Sequence, residues 1–129
     1  MIVVDSSAVV DALSGLPGND ALVARLTAEE LHAPTLIDSE VVSALRGLTR
    51  GQHLTPARAL DLLTDFDDLP LRRWPCADGL RRRAFQLRDN LSAYDAMYVA
   101  LAEGLGCPLV TRDARLARSS GHDARIEVC

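Results

Sequence analysis

Four acidic side chains stand where a short apolar run stops or a helix begins: Asp5, Glu40, Asp95 and Asp113. Asp5 directly follows Ile2, Val3 and Val4, a β-branched run of the kind that forms a buried parallel strand. Asp113 follows Pro108, Leu109 and Val110, an apolar run too brief for a helix and preceded by Gly104 and Gly106. Ser92, with Asp95 three residues on, reads as a capping box before the apolar segment Ala96–Ala102, which puts Asp95 in a first helical turn. In consecutive layers of an α/β sheet a helix runs antiparallel to its strand, so Asp95 and Asp113 come to one edge. Glu40 borders a helical stripe of Ile37, Val41, Ala44 and Leu48, where a carboxylate facing the core is costly unless paired or bound.

These carboxylates converge on the carboxyl side of a parallel sheet, where open α/β folds place their ligands. Like charges a few Å apart raise one another's pKa, and a divalent cation relieves them. Oxygen donors with no nearby histidine or thiolate select Mg²⁺, with Mn²⁺ as a substitute. The chemistry that follows is metal-assisted attack of water on a phosphodiester. Each residue also has a purely structural role to offer: Asp95 as the partner of Ser92, Asp113 as the cap of a helix beginning at Ala114, Glu40 as a border position. Asp5 resists that reading most, because Ser6 or Ser7 is available to cap the helix after the first strand.

The elements that must position these groups alternate along the chain. After the first strand a helix runs through Val9, Val10 and Leu13 to the breakers Gly15, Pro17 and Gly18, and a second from about Asn19 to Glu30. Leu31–Ala33 is a weak strand, followed by a helix from Pro34 and Thr35 to about Arg50, with Thr35 and Asp38 as a further capping box. Thr55 and Pro56 open a helix to about Asp68, and Leu69–Trp74 is an edge strand. Asp78 caps an arginine-rich helix to about Asn90, with Leu80, Ala84 and Leu87 inward and the arginines solvated. Ala114–Ser119 is a short helix and Ile126–Val128 a last strand. The class is α/β, one domain over residues 1–129.

Composition narrows the function further. The chain is 48% hydrophobic but only 4% aromatic, so its core must be aliphatic and alanine-rich. Its net charge of −4 argues against holding nucleic acid by bulk electrostatics alone. Cys76, Cys107 and Cys129 are odd in number and lack metal-like spacing, which favours reduced thiols. The opening apolar run meets Asp5 at once, too short for a signal peptide, and no segment approaches a membrane span; a cytoplasmic protein is expected. All 14 basic residues are arginine, which removes every lysine mechanism.

The segments IVVDSSAVVDAL, PTLIDSEVVSALRGL and LSAYDAMYVALAEGLGCPLVTRD resemble the PIN-domain ribonucleases, specifically VapC-type toxins of bacterial toxin–antitoxin pairs. The resemblance spans essentially the whole chain, and its acidic positions fall on Asp5, Glu40, Asp95 and Asp113. It implies a three-layer sandwich with a central parallel sheet of about five strands, Mg²⁺-dependent RNA cleavage, a homodimer, and a small antitoxin whose tail fills the groove. Thr111 matches a hydroxyl often found two before the last aspartate, and Ser6 is a second candidate for positioning substrate. In this reading Asp5 and Asp95, with Asp113 directly or through water, hold the metal, and Glu40 orients the attacking water or completes a second site. Two rivals stand beside it. A dehalogenase-like phosphohydrolase needs an aspartate where Ser7 stands and a lysine that the chain lacks, and a catalytically inactive binding module for RNA or a partner would not need all four acids.

Overall fold

The computed structural model describes residues 1–129. In chain order the elements are β1 (Ile2–Val4), α1 (Ser6–Leu13), α2 (Asp20–Thr27), β2 (Leu31–Pro34), α3 (Ile37–Arg50), α4 (Pro56–Asp67), β3 (Leu71–Trp74), α5 (Asp78–Gln86), α6 (Ala93–Leu105), β4 (Leu109–Thr111), α7 (Ala114–Ala117) and β5 (Ile126–Val128). The strands form one sheet in the order β3-β2-β1-β4-β5, with every pair parallel. Burial follows sequence: β1, β2 and β4 are buried along their whole length, while the edge strands β3 and β5 carry arginine and glutamate and are partly exposed. Such unbroken apolar runs suit strands covered on both faces.

Strand order explains the layers. The chain winds outward from β1 through β2 to β3, then returns to place β4 on the other side of β1. Right-handed crossovers in opposite directions put their helices on opposite faces, so α1 to α4 cover one side and α5 to α7 the other. Helix α6 packs on β1, β2 and β4, with α5 against its outer side, and α1 packs on β4, α2, α3 and α4. The reversal lies between β1 and β4, and the carboxyl ends of those two strands carry Asp5 and Asp113. A doubly wound sheet opens its ligand crevice at that point.

Several expected boundaries moved for local reasons. Helix α1 is capped by Asp5 and not by Ser6 or Ser7, since the Asp5 side chain accepts the Ala8 N–H. Helix α3 starts at Ile37 with no side-chain cap; Asp38 is drawn instead into an ion pair with Arg73 on β3, at 2.8 Å. The cap of α5 is Ala77, and Asp78, at φ +48°, makes no capping bond. That helix stops at Gln86, after which Leu87 and Asn90 close tighter turns onto Ala84 and Leu87. Thr55 caps α4 as expected, with Pro56 at its start.

Helix α6 is buried at Ala96 and from Tyr98 to Ala102. Gly104 lies inside it, and the stop is Gly106, in the left-handed region at φ +65°. A Cβ at position 106 would meet no atom within 4 Å, so only backbone strain opposes a side chain there. Gly106→Ala is therefore expected to lower unfolding free energy by about 1–2 kcal/mol in urea denaturation, and a loss above about 4 kcal/mol would contradict this placement.

Candidate active site

The Asp5 carboxylate is the most buried acid of the chain, 9% exposed at the end of β1. Its Oδ1 accepts the Ser7 hydroxyl at 2.7 Å and the Ala8 N–H at 2.9 Å, and its Oδ2 accepts the Thr111 hydroxyl. Each hydroxyl in turn accepts a backbone N–H from the turn after β4: Ser7 from Arg112 at 3.2 Å, Thr111 from Asp113 at 3.0 Å. The same turn is clamped to α1 by the Arg112 guanidinium, which binds Asp11 at 2.9 Å. A carboxylate oxygen offers two acceptor positions, so Oδ1 is filled and Oδ2 keeps one free. Burial pushes the Asp5 carboxyl above its ordinary value, the three hydrogen bonds oppose this, and the nearby charge of Asp95 adds to it.

Glu40 and Asp95 lie in the first turns of α3 and α6, two helices that start from the same sheet edge. The buried Tyr98 hydroxyl donates to Glu40 Oε1 at 2.6 Å. Burial raises the Glu40 carboxyl above its ordinary value, the Tyr98 hydrogen bond opposes this, and the charges of Asp95 and Asp5 add to it. Asp95 follows its cap, Ser92, whose side chain accepts the Asp95 N–H at 3.3 Å. No arginine, histidine or amino terminus pairs with Asp5, Glu40 or Asp95. Arg115, paired with Asp113, also lies in the field of Asp95, whereas the raising effect of the acids on Asp5 and Glu40 is opposed by no cation of the protein.

Asp113 behaves differently. It caps α7 through the Arg115 N–H at 2.9 Å and pairs with the Arg115 guanidinium at 3.0 Å. That arginine holds its carboxyl below the usual aspartate range. No three acidic, histidine or cysteine side chains lie within shared coordination reach, so the expected trio of Asp5, Asp95 and Asp113 is not gathered into one shell. The cause is local: Arg115, two residues on, satisfies Asp113. Mg²⁺ keeps most of its waters and needs only one or two carboxylates, so the hard oxygen donors of Asp5 and Asp95 fit it without the third. Thr111, expected to position substrate, is bonded to Asp5 at the site. Ser6, the second expected substrate-positioning residue, makes no side-chain hydrogen bond to Asp5; Ser7 makes that one. Ser7, expected only as a possible helix cap, and Tyr98 are the residues that sequence reasoning did not place in the site. The signals were their spacings, two after Asp5 and one helical turn after Asp95.

The PIN domain family profile matches residues 2–121. The chain belongs to the PIN-domain family. Within it the chain is similar to VapC proteins: it is 48% identical over 129 residues to ribonuclease VapC9 of Mycobacterium tuberculosis H37Rv, covering 99% of this chain and 98% of that protein. It is 44% identical over 128 residues to ribonuclease VapC12 of the same strain, again covering 99% and 98%. A solved member of the VapBC family of toxin–antitoxin systems, VapBC-5 from M. tuberculosis, superposes with a TM-score of 0.61 at 20% identity, covering 98% of this chain and 94% of that one. The five-stranded parallel sheet flanked by helices is thus the PIN fold, and Asp5, Glu40, Asp95 and Asp113 lie around the carboxyl edge that this PIN domain opens between β1 and β4.

A carboxyl whose folded pKa is raised contributes stability that is present below its ordinary value and lost as pH rises through the folded value. Glu40 is such a group, so its ionisation works against folding at neutral pH. Glu40→Gln keeps an acceptor for Tyr98 and removes the charge. At pH 7 it is expected to unfold at higher urea, by a few tenths of a kcal/mol (about 0.2–0.5) after screening of this half-buried group, with the gap narrowing toward pH 4. A variant less stable than the parent at pH 7 would contradict the electrostatics.

Proposed function

We propose that this PIN-domain protein is a divalent-metal-dependent endoribonuclease toxin, held in check by a small antitoxin partner. The observation that carries the reading is the set of three acids, Asp5, Glu40 and Asp95, facing one crevice with no cationic partner from the protein. Relatives named ribonucleases at 44% and 48% identity supply the substrate class, and the VapBC-5 fold match supplies the expectation of an antitoxin. By the same resemblance the protein acts in the cytoplasm as a homodimer; no helix is long and apolar enough to cross a membrane.

Asp5 and Asp95 are the residues to hold Mg²⁺ or Mn²⁺, Asp5 through the open position on its Oδ2. When bound, the ion supplies a water of lowered pKa and charge stabilisation at the scissile phosphate. Glu40, its basicity raised by burial and by its acidic neighbours, orients the attacking water and accepts its proton. The water oxygen bonds to phosphorus as the bond to the departing ribose oxygen breaks. Ser7 and Thr111 hold Asp5 in one rotamer, and Asp113 fixes the turn beside it through Arg115. Asp113 being paired favours one second reading, an RNA-binding module that does not cleave.

Incubation with total cellular RNA separates the two. With Mg²⁺ the parent is expected to cleave, EDTA to stop it, and Asp5→Asn or Asp95→Asn to slow it by at least about 100-fold, since losing even a supporting partner of a metal ligand costs 10–100-fold. Cleavage that survives both substitutions would exclude the metal mechanism, and RNA binding without cleavage would establish the module.

A further inference from the structure

Tyr98 is 2% exposed, with its ring in the aliphatic core and a single polar atom. That atom donates to Glu40 at 2.6 Å, across 58 residues of sequence. Residues three apart on a helix share a face, so α6 presents Asp95 and Tyr98 together toward the crevice. Glu40 itself is only half-buried on α3, with three rotatable side-chain bonds and no cation to hold it. The only side chain that fixes it is Tyr98.

We propose that Tyr98 is a positioning residue for hydrolysis: its hydroxyl immobilises one oxygen of Glu40 and leaves the other free to hold the attacking water. The inference rests on the ribonuclease reading above, because it assigns Tyr98 a role through Glu40. A donor rooted in the core is better suited to this than a surface residue, since the tyrosine ring cannot swing away without opening the packing around α6. Helix α6 then does two jobs at once: it carries Asp95 into the site and sets the rotamer of an acid on another helix. Reactive geometry is sensitive to displacements of about 1 Å, so a carboxylate free to rotate loses rate without losing substrate affinity.

The test is a double-substitution cycle on an RNA oligonucleotide spanning a site that the parent cuts, at saturating Mg²⁺. Tyr98→Phe is expected to lower kcat about 10-fold, the loss typical of a supporting partner, with KM unchanged within about twofold. In the Glu40→Ala background the same change should cost nothing further, because a residue acting through another has no effect once that other is gone. Losses that multiply, or a Tyr98→Phe enzyme at the parent rate, would overturn the inference. If Tyr98→Phe does not fold, the parent alone decides, since a Glu40 side chain that is mobile there would be equally fatal. Carbon-13 relaxation of the Glu40 side chain reads the restraint without any turnover. It should show an ordered chain in the parent and a mobile one in Tyr98→Phe, and equal order in both would refute the positioning role. A parent silent on every RNA, but with Glu40 loosened by Tyr98→Phe, would reject the ribonuclease reading and leave the restraint established.

Discussion

The hydrogen bonds that hold Asp5 join the two strands between which the sheet reverses direction. Ser7 and Thr111 each donate to this carboxylate and accept an N–H from the turn after β4, so the end of β1, the start of α1 and the end of β4 are fixed by one side chain. Such a group cannot be replaced by an apolar one without leaving two hydroxyls and a helix N–H without their acceptor, each costing about 1–3 kcal/mol if it stays buried. The site and the fold therefore share an atom set. The crevice is as rigid as the core beneath it.

Around that fixed point the protein accepts an electrostatic penalty. Asp5, Glu40 and Asp95 each sit at or near the start of a helix, where the macrodipole favours negative charge by about 0.3–1 kcal/mol. That help is smaller than the cost of burial and mutual repulsion, because the carboxyls of Asp5 and Glu40 remain raised above their ordinary values. Arginines are abundant elsewhere and neutralise other acids, at Asp11, Asp38, Glu103 and, at the rim of the crevice, Asp113. The chain has cations to spare yet forms no ion pair with these three. An arrangement that costs stability and is left uncompensated is the kind that function maintains.

Much of this was legible in the chain itself, for reasons that particular residues make plain. Ile2–Val4, Leu109–Val110 and the apolar face of Ala96–Ala102 bury on both sides, so their pattern is decided locally and by the hydrophobic effect. Asp5, Asp95 and Asp113 could be placed because each abuts such a run. What stayed hidden depended on partners far away in sequence. The Tyr98–Glu40 bond spans 58 positions and the Thr111–Asp5 bond 106, and neither leaves a trace in periodicity. Thr35 and Asp38 had the spacing of a capping box, but Arg73, 35 residues on, offered Asp38 a bidentate partner. Asp113 looked equivalent to the other acids until Arg115 was seen to bind it. Ser6 and Ser7 are indistinguishable as neighbours, and only the turn of α1 decides which hydroxyl reaches Asp5.

The proposed function rests on the three unpaired acids taking up a hard divalent cation, and calorimetric titration with Mn²⁺ in the absence of RNA tests that proposal directly. The parent should bind Mn²⁺, with affinity reduced at least about 10-fold in Asp95→Asn, as expected when a metal site loses a ligand. A parent that binds no Mn²⁺, or an Asp95→Asn variant that binds it as tightly, would contradict the assignment of this crevice as a metal-dependent active site.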